Sequence, residues 1–289
     1  MSLTPEQLEM RRTGIGGSEI AALLGESRFA SEFDVWLAKT QGWNIEESED
    51  MKRGTFLEDG IARWYADRFG IDPALLSRPF STIRHRDIST ALCTPDRIFE
   101  TPNGERILSI KAPRRKTDAW GEPGTDIVPG EYLLQLQWEH AVYGLAGPEM
   151  HLAALLDGEL CVYVVQADLE LQKWLLDYAQ QWWARHVVGG KQPSLDGSAQ
   201  AKAWLKSRFP KDDESERDAA PSEISLMVQL ELAESELTAA DQHFDDLANQ
   251  LRQSMGNTAR LNGPNGYVTW KTDKRSNKAF RTKWTNKEK

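Results

Sequence analysis

Asp96 and, thirteen residues later, the run Ser109-Ile110-Lys111 are side chains whose types and spacing suit chemistry on a phosphate ester. They lie in TPDRIFETPNGERILSIKAP, Thr94 to Pro113, two strand-like runs joined through Pro-Asn-Gly, a strong hairpin signal. Alternation along the second run puts Leu108 and Ile110 toward one side and Ser109 and Lys111 toward the other, so Lys111 shares a face with Ser109, a face that could overlook Asp96 across the hairpin. Carboxylates at such a place fix a hard divalent cation that polarises a phosphodiester and activates water, while a nearby lysine orients that water and offsets developing charge. An aspartate and a lysine on neighbouring strands also make an ordinary surface ion pair, and the two residues by themselves leave both readings open. Glu58 adds weight to the first. It falls in register with Ile61, Ala62, Tyr65 and Phe69 on the apolar face of a predicted helix, where a carboxylate is costly unless paired or bound to metal. A first-turn acid complementing the helix dipole is the plainer account of the same residue.

The elements that must position these groups follow in order. Arg11 to Gly25 reads as a glycine-containing turn feeding a helix capped by Ser18, with Glu19 in its first turn and backbone N–H groups free to face an anion. A helix is predicted over Thr55 to Phe69, then three strands over Arg78 to Arg84, Thr90 to Phe99 and Arg106 to Lys111. After the irregular stretch WGEPGTDIVPG come a helix over Glu131 to Tyr143 and two strands in Met150 to Val165 around the turn Asp157-Gly158. A Trp-rich amphipathic helix over Leu169 to Val187 completes the series. This order predicts an α/β (α+β) core, a central mixed sheet flanked by helices, over residues 1–210. Lys211 to Glu223, KDDESERDAAPSE, reads as a linker. Residues 224–289 then carry a long helix with a heptad seam (Leu226, Leu230, Ala233, Leu237, Ala240, Phe244, Leu247, Leu251), a β-hairpin in TARLNGPNGYVTWK and a basic tail.

Composition narrows the class. A hydrophobic share of 40% with eleven tryptophans in 289 residues indicates a globular protein, and no apolar run approaches the roughly 18 residues of a membrane span. The start, MSLTPEQLEMRR, has no apolar h-region, and the only cysteines are Cys93 and Cys161, so a reducing cytoplasm, bacterial or that of a phage-infected host, is expected. His85, His140 and His151 lack ligand spacing for zinc. A net charge of −9 argues against sequence-wide affinity for nucleic acid. Basic stripes at Arg106 to Lys116 and Lys271 to Lys289 can still steer DNA toward one groove.

The ordered motifs RxGIGGSE (12 to 19), G-x-x-x-E (54 to 58), C-T-P-D (93 to 96), L-S-I-K-A-P (108 to 113) and Y-L-L-Q-L-Q (132 to 137) resemble the YqaJ-type viral recombinase family, the phage λ exonuclease-like branch of the PD-(D/E)XK nucleases. The resemblance spans most of residues 10 to 190, and the helix followed by G-x-x-G-Y-V-T-W-K resembles the tail of many members. It implies a restriction-endonuclease-like core and a Mg²⁺- or Mn²⁺-dependent exonuclease resecting the 5′ strand of linear double-stranded DNA ends. The exposed 3′ strand would pass to a single-strand annealing protein, and the enzyme would be a homo-oligomer, a ring trimer or tetramer. Carried over by motif, Asp96 would be the central metal ligand, with Glu58 and the Ile110 backbone carbonyl beside it, and Lys111 the water-orienting lysine. Arg12, Ser18, Thr94 and Gln135 fall where groups grip the terminal phosphate or scissile region, as Arg forks, hydroxyls and amides suit.

The chain departs from the family at Ser109, where members usually carry Glu. A serine hydroxyl is a neutral, poor ligand for Mg²⁺. In one account the acid has moved to the following helix, to Glu139, four residues after Gln135, or to Glu131, four before it; Glu139 is preferred because an acid at a helix start is common for dipole reasons. In another the chain is a catalytically weakened or inactive module that binds DNA ends. In a third Asp96 and Glu58 hold one metal with extra water.

Overall fold

The computed structural model describes residues 9–42, 48–79, 81–102, 104–272 and 277–284. The chain divides into two compact units, Met1–Pro210 and Lys211–Lys289.

Hydrophobic side chains in the first unit collect on both faces of a four-stranded mixed sheet of order β3-β4-β5-β6: β3 Arg97–Thr101, β4 Gly104–Lys111, β5 Glu149–Leu156 and β6 Glu159–Gln166. The β3–β4 and β5–β6 pairs are antiparallel hairpins, whereas β4 and β5 run parallel, Ile110 opposite Ala153. A parallel pair needs a crossover, here supplied by helix α4, Gly130–Tyr143. Ile107, Leu136, Tyr132 and Leu152 share the core beneath this helix, while Leu108, Ile110 and Ala153 meet Ile61 and Tyr65 of helix α3, Glu49–Phe69, on the opposite side. Buried rows on both faces explain why β5 and β6 are apolar almost throughout.

Helix α1, Gly17–Leu23, and α2, Glu32–Thr40, form a third cluster with α4 and α5, Leu169–Trp182. Ser31 and Asp34 cap α2 reciprocally, a capping box that marks a helix absent from the sequence-based order. Lys39 of α2, buried, donates to both Glu19 oxygens at 2.7 Å and to the Arg11 carbonyl at 2.6 Å, tying α1 and its entry loop to α2. Burial pushes the Lys39 amine below its ordinary pKa, against the pull of Glu19.

Several expected boundaries move. Of the strand predicted over Arg78 to Arg84, the described residues form only β1, Ile83–Arg84, and the one predicted over Thr90 to Phe99 is split. Its first part, β2 Leu92–Cys93, pairs with β1 in a separate two-stranded sheet, and its second is β3. Pro95 at the break has no N–H for a ladder. Ser18 does not cap α1: the N-cap is Gly16, whose N–H donates to Glu19 Oε2 at 2.7 Å, so the chain's own acid occupies that turn. α3 starts six residues earlier than expected, at Glu49 behind a Ser48 cap. α5 continues as a π-helical segment, Trp183–Val188, and a further helix, α6 Ala199–Arg208, closes the unit.

In the second unit α7, Pro221–Met255, begins inside the expected linker, with Pro221 in its first turn and Glu223 accepting from the Ala220 N–H at 2.8 Å. The heptad leucines Leu226, Leu230, Leu237 and Leu247 stay exposed, whereas Ala248 and Met255 are buried. The expected hairpin is a three-stranded antiparallel sheet, β7 Arg260–Gly263, β8 Gly266–Thr272 and β9 Lys278–Trp284. Its third strand lies in what the charge pattern marked as a tail. Among the described residues no helix is long and apolar enough to cross a membrane.

Candidate functional site

Asp96 sits in the bend between β2 and β3, and β4 brings its backbone alongside. Asp96 Oδ2 accepts from the Ile110 N–H at 2.7 Å and from Ser109 Oγ at 3.3 Å. Ser109 is 0% exposed and occupies the position between strand and carboxylate. Two residues on, at the end of β4, the Lys111 side chain reaches α4, where Nζ donates to Gln135 Oε1 at 2.9 Å. Gln135 passes the contact along its own helix, with Nε2 donating to Glu139 Oε1 at 2.7 Å. The i to i+4 spacing puts both side chains on one face of α4.

Glu139 is the unusual member. It is 2% exposed, and its Oε2 has no hydrogen-bond partner. Two other buried side chains on α4 are provided for: Gln137 donates to the Gln166 carbonyl at 2.7 Å, and His140 Nε2 lies 2.8 Å from the Gly147 carbonyl, whereas Glu131 Oε1, also without a hydrogen bond, has the Arg28 guanidinium beside it. Burial first and the Asp96 charge second raise the Glu139 pKa to about 8, against the pull of Lys111 and the Gln135 hydrogen bond. Asp96 also titrates above the usual carboxylate range, first through burial. Two buried acids beside one lysine, the Asp96 charge raising the pKa of Glu139 and the Glu58 charge that of Asp96, form a cluster rich in carboxylates.

That donor set fits a hard divalent cation. It offers carboxylate oxygens from two elements, one of them a buried oxygen without a partner. Gly17 makes the arrangement sterically feasible, because a Cβ there would stand 2.9 Å from Glu139 Oε1, 3.0 Å from its Cγ and 3.2 Å from Gln135 Cγ. The GG of the first motif thus lets α1 pack directly on the acid.

The remaining sequence candidates are placed differently. Glu58 Oε1 accepts from Arg97 Nη1 at 2.5 Å and from Arg78, while Arg97 also pairs with Asp59 and donates to the Asp96 carbonyl at 2.5 Å. Glu58 is thus a paired acid near Asp96, not a bare one. Its partners Arg97 and Arg78 did not stand out in the sequence; the buried position of Arg97, directly after Asp96 on a strand, was the available signal. Glu131 lies 3.0 Å from Arg28 Nε, so of the two acids on α4 only Glu139 joins the Asp96 group. Arg12 is exposed and contacts the Gly42 carbonyl at 3.3 Å and Glu9 at 3.5 Å. Ser18, also exposed, accepts from Arg11 at 3.0 Å, and Thr94 Oγ1 donates to Thr82 at 3.1 Å. Among the described residues none of these three bonds to Asp96, Lys111, Gln135 or Glu139. The N–H of Ile110 is taken up by Asp96, and its carbonyl lies on the same strand.

Residues 6–146 match the profile of the YqaJ-like viral recombinase domain. The uncharacterized protein YqaJ of Bacillus subtilis (strain 168) is 28% identical over 257 residues, covering 86% of this chain and 77% of its own length. The alkaline exonuclease LHK-Exo of Laribacter hongkongensis has a similar fold, with a TM-score of 0.50 at 16% identity, covering 72% of this chain and 99% of its own. The crystal structure of LHK-Exo in complex with dAMP gives the same TM-score at 17% identity, with 72% and 98% coverage.

Proposed function

We propose that this chain, whose residues 6–146 match the YqaJ-like viral recombinase domain and which is 28% identical to YqaJ over 257 residues, is a metal-dependent exonuclease of phage-type recombination. It acts on linear double-stranded DNA ends and resects the 5′ strand, leaving a 3′ strand for an annealing protein. The observation that carries this reading is the buried, unpartnered oxygen of Glu139, in a cluster with Asp96 and the Lys111–Gln135 pair.

In this reading Asp96 and Glu139 hold the cation, and Glu139 replaces the acid that Ser109 lacks. A bound Mg²⁺ or Mn²⁺ would polarise the scissile phosphate and lower the pKa of water. The chain's own residues do the rest. The Ile110 N–H and Ser109 hydroxyl aim Asp96. Gln135 orients the Lys111 ammonium through its oxygen and Glu139 through its amide, so the two are set by one side chain. The Lys111 charge then stands where negative charge develops on the phosphate. Glu58, held by Arg78 and Arg97, fixes the α3 side of the cluster and the Asp96 backbone.

The test is cleavage of 5′-phosphorylated linear duplex by the full chain in Mg²⁺, Mn²⁺ or EDTA. Cutting should require the ion and fall at least a hundredfold in Asp96→Asn, Lys111→Ala and Glu139→Gln. Wild-type rates from Glu139→Gln would refute the moved acid. Tight binding of DNA ends without cutting, converted to cutting by Ser109→Glu, would instead establish the weakened-module account.

A further inference from the structure

The nuclease reading leaves unused an exposed aromatic-cation ledge beside Lys111. Phe29, between α1 and α2, is 64% exposed. The Arg28 guanidinium lies 4.9 Å from its ring centroid. Arg28 is itself held: Nε lies 3.0 Å from Glu131 Oε1, and Nη2 donates to Tyr132 Oη at 3.2 Å. These two contacts leave further donors of the guanidinium fork for another acceptor. Tyr132 links the ledge to the reaction centre, because Arg28 Cζ lies 5.9 Å and Lys111 Nζ 5.2 Å from the same ring centroid.

A groove of about 700 Å³ opens next to this ledge, lined by Phe29 and Leu195 on its apolar side and by Ser31, Ser198 and Asp196 on its polar side. That volume is in the range of sites for small organic groups. The Asp196 carboxylate and nearby Glu32 disfavour a phosphate inside the groove, whereas Arg28 at its rim favours one there.

We propose that Arg28, Phe29 and Tyr132 form a subsite for one unpaired nucleotide of the DNA end, its base stacked on Phe29 over the groove and its phosphate on Arg28. The proposal rests on the nuclease reading. A base inside a duplex has both faces covered by its neighbours, so only an unpaired or frayed nucleotide presents a face to Phe29. Stacking of this kind tolerates all four bases, which suits an enzyme that must act on any end. The link through Tyr132 would couple an occupied ledge to the orientation of Lys111.

The test is equilibrium binding of the full chain, in EDTA so that nothing is cut, to linear duplexes that are blunt or carry a short overhang containing 2-aminopurine. Wild type should quench the 2-aminopurine and bind the overhang more tightly than the blunt end. Phe29→Ala should abolish the quench and weaken overhang binding about tenfold, the scale of one lost base-aromatic stack, with blunt-end binding changed less than twofold. Phe29→Trp should keep both signals. Since Phe29 is exposed, circular dichroism should report the same melting temperature for all three proteins. If the chain binds DNA ends but Phe29→Ala leaves quench and affinity unchanged, the subsite is overturned and the nuclease reading stands. If the chain binds no DNA in any form, both fall.

Discussion

Replacing Glu139 by glutamine should stabilise the metal-free protein at pH 8 while destroying its response to metal. Glu139 titrates at about 8 in the folded chain, against about 4.3 for an unfolded glutamate. Between those values the folded state keeps a proton that the unfolded state has lost. Its contribution is therefore fully present below the unfolded pKa and is lost as pH rises through the folded one. At roughly 1.4 kcal/mol per pH unit the ceiling of this loss at pH 8 is about 5 kcal/mol. Relaxation and water entry around a buried charge reduce it, and about 2 kcal/mol is the working expectation. Glutamine keeps an acceptor for Gln135 and has nothing to ionise. For a unit of some two hundred residues the gain corresponds to roughly 4 to 8 °C in Tm. Nine of the eleven tryptophans lie in residues 1–210, so tryptophan emission during heating reports that unit. The assay compares wild type and Glu139→Gln in EDTA at pH 5 and pH 8, then in excess Mg²⁺. The variant should match wild type at pH 5 and melt higher at pH 8, and only wild type should gain from the metal. Equal melting at pH 8 in EDTA, or equal gains from Mg²⁺, would refute the assignment of Glu139 as a buried acid awaiting a cation.

Three further outcomes follow from the same geometry. Gly17→Ala forces a methyl to within 3 Å of the Glu139 carboxylate and should destabilise the fold by about 1 to 3 kcal/mol, read from urea midpoints, with a matching loss of metal affinity by calorimetry. Ser109→Ala removes only a 3.3 Å hydrogen bond to Asp96 and should change the cleavage rate less than about threefold if the acid resides at 139; loss of cleavage would give the hydroxyl a direct role. Arg97→Met strips Glu58 and Asp59 of their buried partner and should cost about 3 to 5 kcal/mol in denaturant unfolding, the scale for breaking a buried ion pair, unless Arg78 alone suffices.

The sequence made the β3–β4 hairpin legible because Asp96, the Gly104 turn and the Leu108–Lys111 alternation are all local. It also made Glu139 legible, since the missing acid at 109 directed attention to the one helix whose i, i+4 spacing from Gln135 could supply it. Long-range pairings were not legible. Nothing near Glu58 announces that Arg78, 20 residues away, and Arg97, 39 residues away, converge on it. The break at Pro95 was visible in the letters, but the strength of the β-branched and aromatic residues on either side concealed it. The Ser31 to Asp34 capping box is a local signal, but α2 is short and followed by a residue run without clear periodicity, which masks the helix. In α1 the serine suggested a cap by type, and the structure instead uses a glycine plus an acid three residues on.

The parallel pairing of β4 with β5 has a consequence for biogenesis. Lys111 closes one strand, Gln135 and Glu139 lie on the crossover, and the parallel partner that holds the crossover in place ends only at Leu156. Such non-local closures form late and slowly. A nascent chain emerging from the ribosome would therefore carry Asp96 and Lys111 long before the acid that completes their charge cluster is locked beside them.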